Sequence, residues 1–571
     1  MQNKKEIFAY GLLATFFLFI QFICRTLEIN GNIVWNTINV LLYLLISILL
    51  AGFIVTVFFL FKKNLWNSNI KTSKPHTATA EKRIFFISWI VIFICWIPTF
   101  LAYYPGILAY DSYVQIEQIL NNTYNNHHPL IHTLMIKNAI SIGNAIGNAN
   151  LGVALYTLTQ MVFLSVAMST GIFLLAKRGV NRIWLALTVL YCALCPANSF
   201  MAVSMTKDVF FTVCVLLYIY ILFYLLDTEK HHFLWDIAYI FSAIAIMLFR
   251  NNGKYTLFVF LCLYSLFSFG KYIDYQKKRK NEKTEIQSTE KPKSLRLILC
   301  TAGSLLLGSL VISILNSSVS AADGDKREML SIPIQQLSRC MVYHGGLGIV
   351  DTDDNSISNE DRALINEFIL HNGYSQYNPL ISDPVKRCTN TSVVLNKMKA
   401  FVSTYVGLAL DYPGDYLNAF FAVNGGYLSV LDKSHATVNL HEGVSGLGYL
   451  QTRWEEPTIN RAGIHKDSKW PALHSLLEKF AGNNGYLNIP VLRTLVAPGA
   501  YFWCYLWLAV WTYFRRPKKY LFPLFFVAGY YITLLLGPTV QLRYLYPLMV
   551  LLPFTYLYIL FCKNETKYPK P

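Results

Sequence analysis

The chain has 571 residues, 54% hydrophobic and 15% aromatic, with 14% charged and a mean hydropathy of +0.38. An ordinary soluble domain carries about 25% charged residues, so this composition excludes a disordered, collagenous or nucleic-acid-binding chain and argues against a purely soluble enzyme. The formal net charge of +17 has meaning only once its placement along the chain is known.

Apolar runs of about 20 residues recur, each long enough to cross a bilayer core. In chain order twelve spans are predicted: 6–26, 33–61, 84–103, 151–176, 183–203, 209–226, 234–250, 255–270, 296–316, 496–514, 520–537 and 545–562. The first follows Lys4 and Lys5, lacks a small-residue cleavage site, and reads as an uncleaved anchor. Of the 49 Lys and Arg, 28 fall in short segments on one side, six on the other, and 15 in residues 317–495, which also hold 18 Asp and Glu. The positive excess therefore marks the cytoplasmic face of a multi-pass cell-membrane protein. Both termini are expected in the cytoplasm, the bilayer is a partner, and no nucleic acid is.

Two segments on the opposite face stand out by length, 104–150 and 317–495. A structureless stretch of the second size is improbable in a compact protein, so 317–495 is expected to fold as a mixed, mainly helical extracytoplasmic domain. The cytoplasmic stretch 271–296 is charged and apolar-poor and reads as a flexible linker. Nine of the eleven cysteines lie in or beside spans, including the C-x-x-C at Cys192 and Cys195, and read as small apolar residues. Cys340 and Cys388 lie in the large domain, where an oxidising compartment permits a disulfide.

The informative residues are ionisable groups at the outer ends of spans, where a charge is costly unless it faces a cavity or a partner. Residues 104–115 read Y-P-G-I-L-A-Y-D-S-Y-V-Q. Pro105 and Gly106 end a span with a turn, Ser112 and Gln115 have capping-box spacing, and an amphipathic interfacial helix follows. Taken locally, Asp111 is a second capping group or a solvated turn residue. His127-His128-Pro129 reads as a polar turn before a second interfacial helix, with Pro129 at its first position. His128 and His132 stand at i, i+4, the spacing of a weak metal pair. Thr206-Lys207-Asp208 reads locally as mutual neutralisation at the bilayer edge, and Arg250 with Asn251 as an interfacial anchor. Arg543 with Tyr544 is another cation on the face where topogenic charge is disfavoured. Together Lys207, Arg250, Lys254 and Arg543 have no topogenic reason to be there. A lipid-linked phosphate or pyrophosphate at the outer leaflet supplies one.

At this point the sequence resembles the GT-C glycosyltransferases, multi-pass enzymes that use polyprenyl-phosphate sugars. The motifs P-G-x-x-x-x-D-S-x-x-Q (105–115), H-H-P (127–129), T-K-D (206–208), R-N-N-G (250–253), I-P-x-Q-Q (332–336) and R-Y-x-Y-P (543–547) look like a little-characterised bacterial family of that superfamily, over residues 84–560. The resemblance implies an all-α polytopic fold of about twelve transmembrane helices. Residues 1–62 would be two N-terminal spans, 84–316 a GT-C-like module, 317–495 the outer domain and 496–571 the C-terminal spans. It further implies that Asp111 matches the first-loop catalytic carboxylate, Asp208 the second-loop acid, and Arg543 the donor-phosphate cation. Two features depart from the pattern: two spans precede the first loop, and Asp111 stands alone rather than in a D-x-D pair.

The reading expected is an inverting transfer of a sugar from a polyprenyl-phosphate donor to a glycan or cell-wall polymer outside the membrane. Asp111 would be the general base. Arg543, Arg250 and Lys207 would hold the phosphate, and Asp208 would orient Lys207 or the acceptor. His127 and His128 would line the acceptor side, with Asn251 and Tyr544 completing the binding set. Gln335, Gln336 and Arg339 would close the site from the large domain. No cofactor follows with certainty, and a divalent metal is compatible with the site. The competing readings are a polymerase or ligase acting on lipid-diphosphate glycans, and a transporter or flippase. The second would normally show inverted repeats and mid-bilayer polar residues, which this sequence lacks.

Overall fold

The computed structural model describes residues 2–65, 77–108, 110–228, 232–282, 291–351, 354–435, 444–445, 447–449, 457–482 and 484–562. The chain starts with α1 (Gln2–Asn30) and α2 (Thr37–Leu65), followed by α3 (Ala78–Ala102). Two shorter helices come next, α4 (Tyr110–Asn121) and α5 (Leu130–Ile146), then α6 (Ala149–Lys177), α7 (Arg182–Leu194) and α8 (Pro196–Val203). α9 (Lys207–Asp227), α10 (Phe233–Phe249), α11 (Asn252–Glu282) and α12 (Lys291–Ser318) complete the first half. The large segment begins with α13 (Ser331–His344) and α14 (Asn359–Phe368) and continues with α15 (Asp383–Arg387), α16 (Thr391–Asn396), α17 (Met398–Asp411) and α18 (Pro413–Leu428). A two-residue antiparallel pair, Val444–Ser445 with Gly448–Tyr449, is followed by α19 (Pro457–Arg461), α20 (Pro471–Leu477), α21 (Pro490–Val496) and α22 (Pro498–Arg515). The last two helices are α23 (Leu521–Leu535) and α24 (Leu542–Leu560).

Eight described helices are long and apolar enough to cross a membrane, or up to ten if each of two bent pairs is one span. The twelve expected segments are all helical, but four fall short of a straight span. The run 183–203 bends by 50° between α7 and α8, where Pro196 opens the second helix. The run 496–514 belongs to α21 and α22, which meet at 64° before Pro498. α10 has 17 residues and α23 has 15, below the roughly 20 needed to cross a bilayer untilted. The stretch expected as a linker is also different: α11 continues to Glu282 and α12 opens at Lys291, so only residues 283–290 lie outside the described residues. Cys340 and Cys388 are both free thiols.

The core is an aromatic-rich bundle. α9 is its centre, and nearly every side chain along it is buried. Its 21 residues rise about 1.5 Å each, close to the thickness of a bilayer core. At its far end Asp227 pairs with Arg178 at 2.5 Å and accepts from Tyr520 at 2.6 Å and Tyr558 at 2.8 Å. This lock fastens α6, α23 and α24 to one end of α9. The site described next lies at the other end.

Segment 317–495 is joined to the N-terminal hairpin by polar staples. Arg339, fully buried on α13, pairs with Asp415 at 2.9 Å and donates to Asn32 Oδ1 at 2.8 Å. Asn418 donates to the same oxygen at 2.6 Å and accepts from Trp35 at 2.7 Å. Removing one partner from such a network leaves buried groups unsatisfied, at about 1–3 kcal/mol. Arg339→Ala is therefore expected to lower the thermal unfolding midpoint in micelles. An unchanged midpoint would show that the staple contributes nothing.

Candidate functional site

The local chain explains how distant charges meet. After α3 the backbone turns at Pro105 and Gly106. Ile107 N donates to Val203 O at 2.9 Å, and Met205 N donates to Ile107 O at 3.0 Å. This short parallel bridge lays the approach to α4 beside the approach to α9. Glycine is required at position 106: its φ is +153°, and a Cβ there would stand 2.5 Å from Thr157 Oγ1 on α6. α5 reaches α6 by a similar close approach, since a Cβ on Gly152 would stand 2.1 Å from Ala139 O.

Asp111 lies in the first turn of α4, and Lys207 and Asp208 open α9. Arg250 follows α10, and Arg543 is in the first turn of α24. Asp208 is 0% exposed, Asp111 5%, Arg250 6% and Arg543 7%. Lys207 Nζ pairs with Asp111 Oδ2. Arg543 Nη1 meets the same oxygen at 2.8 Å and stands 3.7 Å from Asp208 Oδ2. Arg250 Nη1 pairs with Asp208 Oδ1 at 2.8 Å. The expected pairing of Asp208 with Lys207 is thus corrected: α9 points its first two side chains to different neighbours, Lys207 to Asp111 and Asp208 to Arg250.

Each guanidinium is further fixed. Arg543 Nε donates to Gln541 Oε1 at 2.5 Å and Nη2 to the Tyr544 hydroxyl at 3.0 Å. Arg250 donates to the Tyr530 hydroxyl at 3.1 Å and lies 4.8 Å from the Tyr544 ring centroid, within cation–π range. The Tyr530 hydroxyl in turn donates to Tyr544 O at 2.6 Å. Burial works to raise the Asp111 carboxyl, but Arg543 and Lys207 beside it hold it well below the usual carboxylate range. His128 Nδ1 stands 3.3 Å from Lys207 Nζ. Burial, and then Lys207, push His128 well below its usual value, so it is neutral at pH 7.

The S-x-x-Q sequence does not form the expected capping box. α4 already begins at Tyr110, and Ser112 Oγ donates to Met205 O instead. Gln115 Nε2 donates to Thr133 Oγ1 at 2.8 Å, and its Oε1 faces His132 Nδ1 at 2.8 Å. His132 Nδ1 must then carry the proton, so Nε2 accepts from the Tyr156 hydroxyl at 2.7 Å. Burial pushes His132 down to about 3. Both ring nitrogens are taken, so His132 is not placed to share a metal with His128, the weak pairing that their spacing allows. Among the described residues no group of three or more His, Cys, Asp or Glu is placed to hold a metal ion.

The rim comes from three segments. Asn251 Nδ2 donates to Asn126 O at 3.1 Å and His127 O at 3.2 Å. His127 feels the charges of Glu328 and Lys386 as well as those of Lys207 and Asp111. Lys386 pairs with Glu328 at 2.7 Å and Asp383 at 2.6 Å. The segment leading into Asp383 packs on the loop before Arg543, with Ser382 N donating to Pro538 O at 2.9 Å and Thr539 Oγ1 to Leu380 O at 3.0 Å. These rim residues replace the expected three. Gln335 donates to Asn378 O at 2.6 Å, Gln336 to Tyr416 O at 3.0 Å, and Arg339 serves the staple to the N-terminal hairpin. Among the described residues these bonds run within 317–495 and to the N-terminal hairpin, not to the Asp111–Arg543 cluster. Sequence reading missed Tyr530, which sits inside an apolar run and gave no signal.

A model described as a family of unknown function, DUF6020, matches residues 119–570, and the chain belongs to that family. The match takes in Lys207, Asp208, Arg250 and Arg543 and begins shortly after Asp111. No curated protein matches the chain, and no solved structure matches it.

Proposed function

We propose that this family member is a membrane glycosyltransferase of GT-C type that moves a sugar from a polyprenyl-phosphate donor to a glycan acceptor outside the membrane. One observation carries the reading. Two carboxylates and three cations, all buried except the partly exposed Lys207, share one cluster at an end of the helix bundle. Their formal charge is one unit positive. A buried excess charge is costly, and a phosphodiester, which carries one negative charge, cancels it. A Lys–Asp pair alone would make no such demand.

In the transfer, the acceptor oxygen bonds to the anomeric carbon from the face opposite the phosphate. The bond between that carbon and the phosphate oxygen breaks, and its electron pair stays on the phosphate. The leaving group thereby gains a second negative charge, which Arg543, Lys207 and Arg250 stabilise. Asp111 takes the acceptor hydroxyl proton and releases it to solvent after product leaves. Asp208 holds Arg250 in place.

Asp111→Asn removes the proton acceptor without changing side-chain volume, and general-base removal costs typically about 10²–10⁴-fold in rate. Membranes carrying this variant are expected to transfer no measurable sugar from polyprenyl-monophosphate donors, at normal protein abundance. Transfer at the wild-type rate would end the assignment.

A further inference from the structure

The geometry presents a conflict. Lys207 and Arg543 both meet Asp111, and both do so at Oδ2. A carboxylate oxygen that carries two cations is a poor proton acceptor. The groups that would hold the donor phosphate are the same groups that silence the base.

We propose that the donor resolves this conflict itself: its phosphate takes Lys207 and Arg543 from Asp111, so that the base becomes competent only when the donor is seated. This rests on the glycosyltransferase reading above and adds an order to it, donor before acceptor. Arg543 is the fixed half of the exchange. Gln541 and Tyr544 hold two of its other donors, so the phosphate comes to the guanidinium. Lys207 is the moving half. Among the described residues its charged partner within bonding distance is Asp111, its other neighbour is the neutral His128 ring, and a lysine stem is flexible where a guanidinium fork is not. Arg250 stays out of the exchange because Asp208, Tyr530 and the Tyr544 ring already engage it. The two non-bridging oxygens of a phosphodiester can accept from Arg543 and Lys207 together. As the leaving phosphate gains its second charge, Lys207 is drawn further from Asp111 and the fixed Arg543 charge is neutralised by the phosphate, so the affinity of Asp111 for the acceptor proton rises with the progress of the reaction.

The exchange makes Asp111 a competitor of the phosphate as well as a base. Binding of a sugar-free polyprenyl phosphate to the full-length protein in nanodiscs tests this. Asp111→Asn is expected to bind that lipid roughly tenfold or more tighter than wild type while transferring no sugar. Lys207→Met, which removes a cation and keeps the competitor, is expected to bind roughly tenfold weaker. The double variant Asp111→Asn/Lys207→Met keeps the net charge of the wild-type cluster, which guards against the single Asp111 change failing to fold. It is expected to bind at least as tightly as wild type and more tightly than Lys207→Met. If Asp111→Asn is inactive yet binds no tighter, or if the double variant binds no better than Lys207→Met, the exchange is wrong and the transferase reading stands. If Asp111→Asn still transfers, Asp111 is not the base and the exchange falls with it; if wild type does not bind the lipid at all, the transferase reading itself fails.

Discussion

Asp208→Ala is expected to destabilise the folded protein by about 3–5 kcal/mol, because removing one partner of a buried ion pair strands the other. Asp208 is wholly buried and holds Arg250 at 2.8 Å. Without it, Arg250 keeps the Tyr530 hydroxyl and the Tyr544 ring, neither of which carries a countercharge. Arg543 also loses the carboxylate 3.7 Å away. The cluster's excess of positive charge would then double, at the point where α9, α10 and α24 converge. The thermal midpoint in micelles should fall clearly, and a second substitution, Arg250→Met, should restore most of the loss. Apolar groups of similar volume often replace a buried pair at little cost. A midpoint that does not move in Asp208→Ala, or does not recover in the double variant, would mean that the pair is solvated in the bilayer-embedded protein. The same double variant should remain inactive, since it lacks a phosphate-facing cation, and this separates the stability of the site from its chemistry.

How much of this site could be read from the sequence follows from what a sequence encodes. Lys207, Arg250 and Arg543 were legible because a cation at the wrong end of a span has no topogenic explanation. Span ends give depth in the membrane but not direction around a helix axis, so the partners of Asp111 and Asp208 were not legible. Ser112 and Gln115 had the spacing of a local cap, yet the Met205 carbonyl and the α5 side chains took both groups, a case of tertiary contacts overriding a local motif. Arg339 was misplaced for a related reason. Its partner Asp415 is 76 residues away and the Asn32 loop is 307 away, and no local pattern announces a staple between such distant segments. Two of the expected spans are bent where proline intervenes. Pro196 and Pro498 open new helices inside continuous apolar runs, and hydropathy cannot register a bend.

Arg543→Lys is the substitution that asks most sharply whether the cluster is built for a phosphate or only for a positive charge. A lysine preserves the charge and much of the length. It cannot preserve the fork, because Arg543 sends Nε to Gln541, Nη1 to Asp111 and Nη2 to Tyr544 at once. An ammonium has one nitrogen and would have to choose among them. If the role is to neutralise two neighbouring carboxylates, lysine should serve nearly as well, and transfer should stay within about threefold of wild type. If the role is to meet a leaving phosphate with donors already aimed, the rate should fall roughly 100- to 1,000-fold, the usual cost of losing one preorganised donor to a developing charge. Initial rates measured against donor concentration in membranes would separate the two. The phosphate role also predicts that the loss appears in the maximal rate as well as in donor affinity, because the charge that Arg543 meets is larger on the leaving group than on the bound donor. A weakened donor affinity with an unchanged maximal rate would leave Arg543 as a binding group only and move the charge-stabilising role to Lys207 and Arg250.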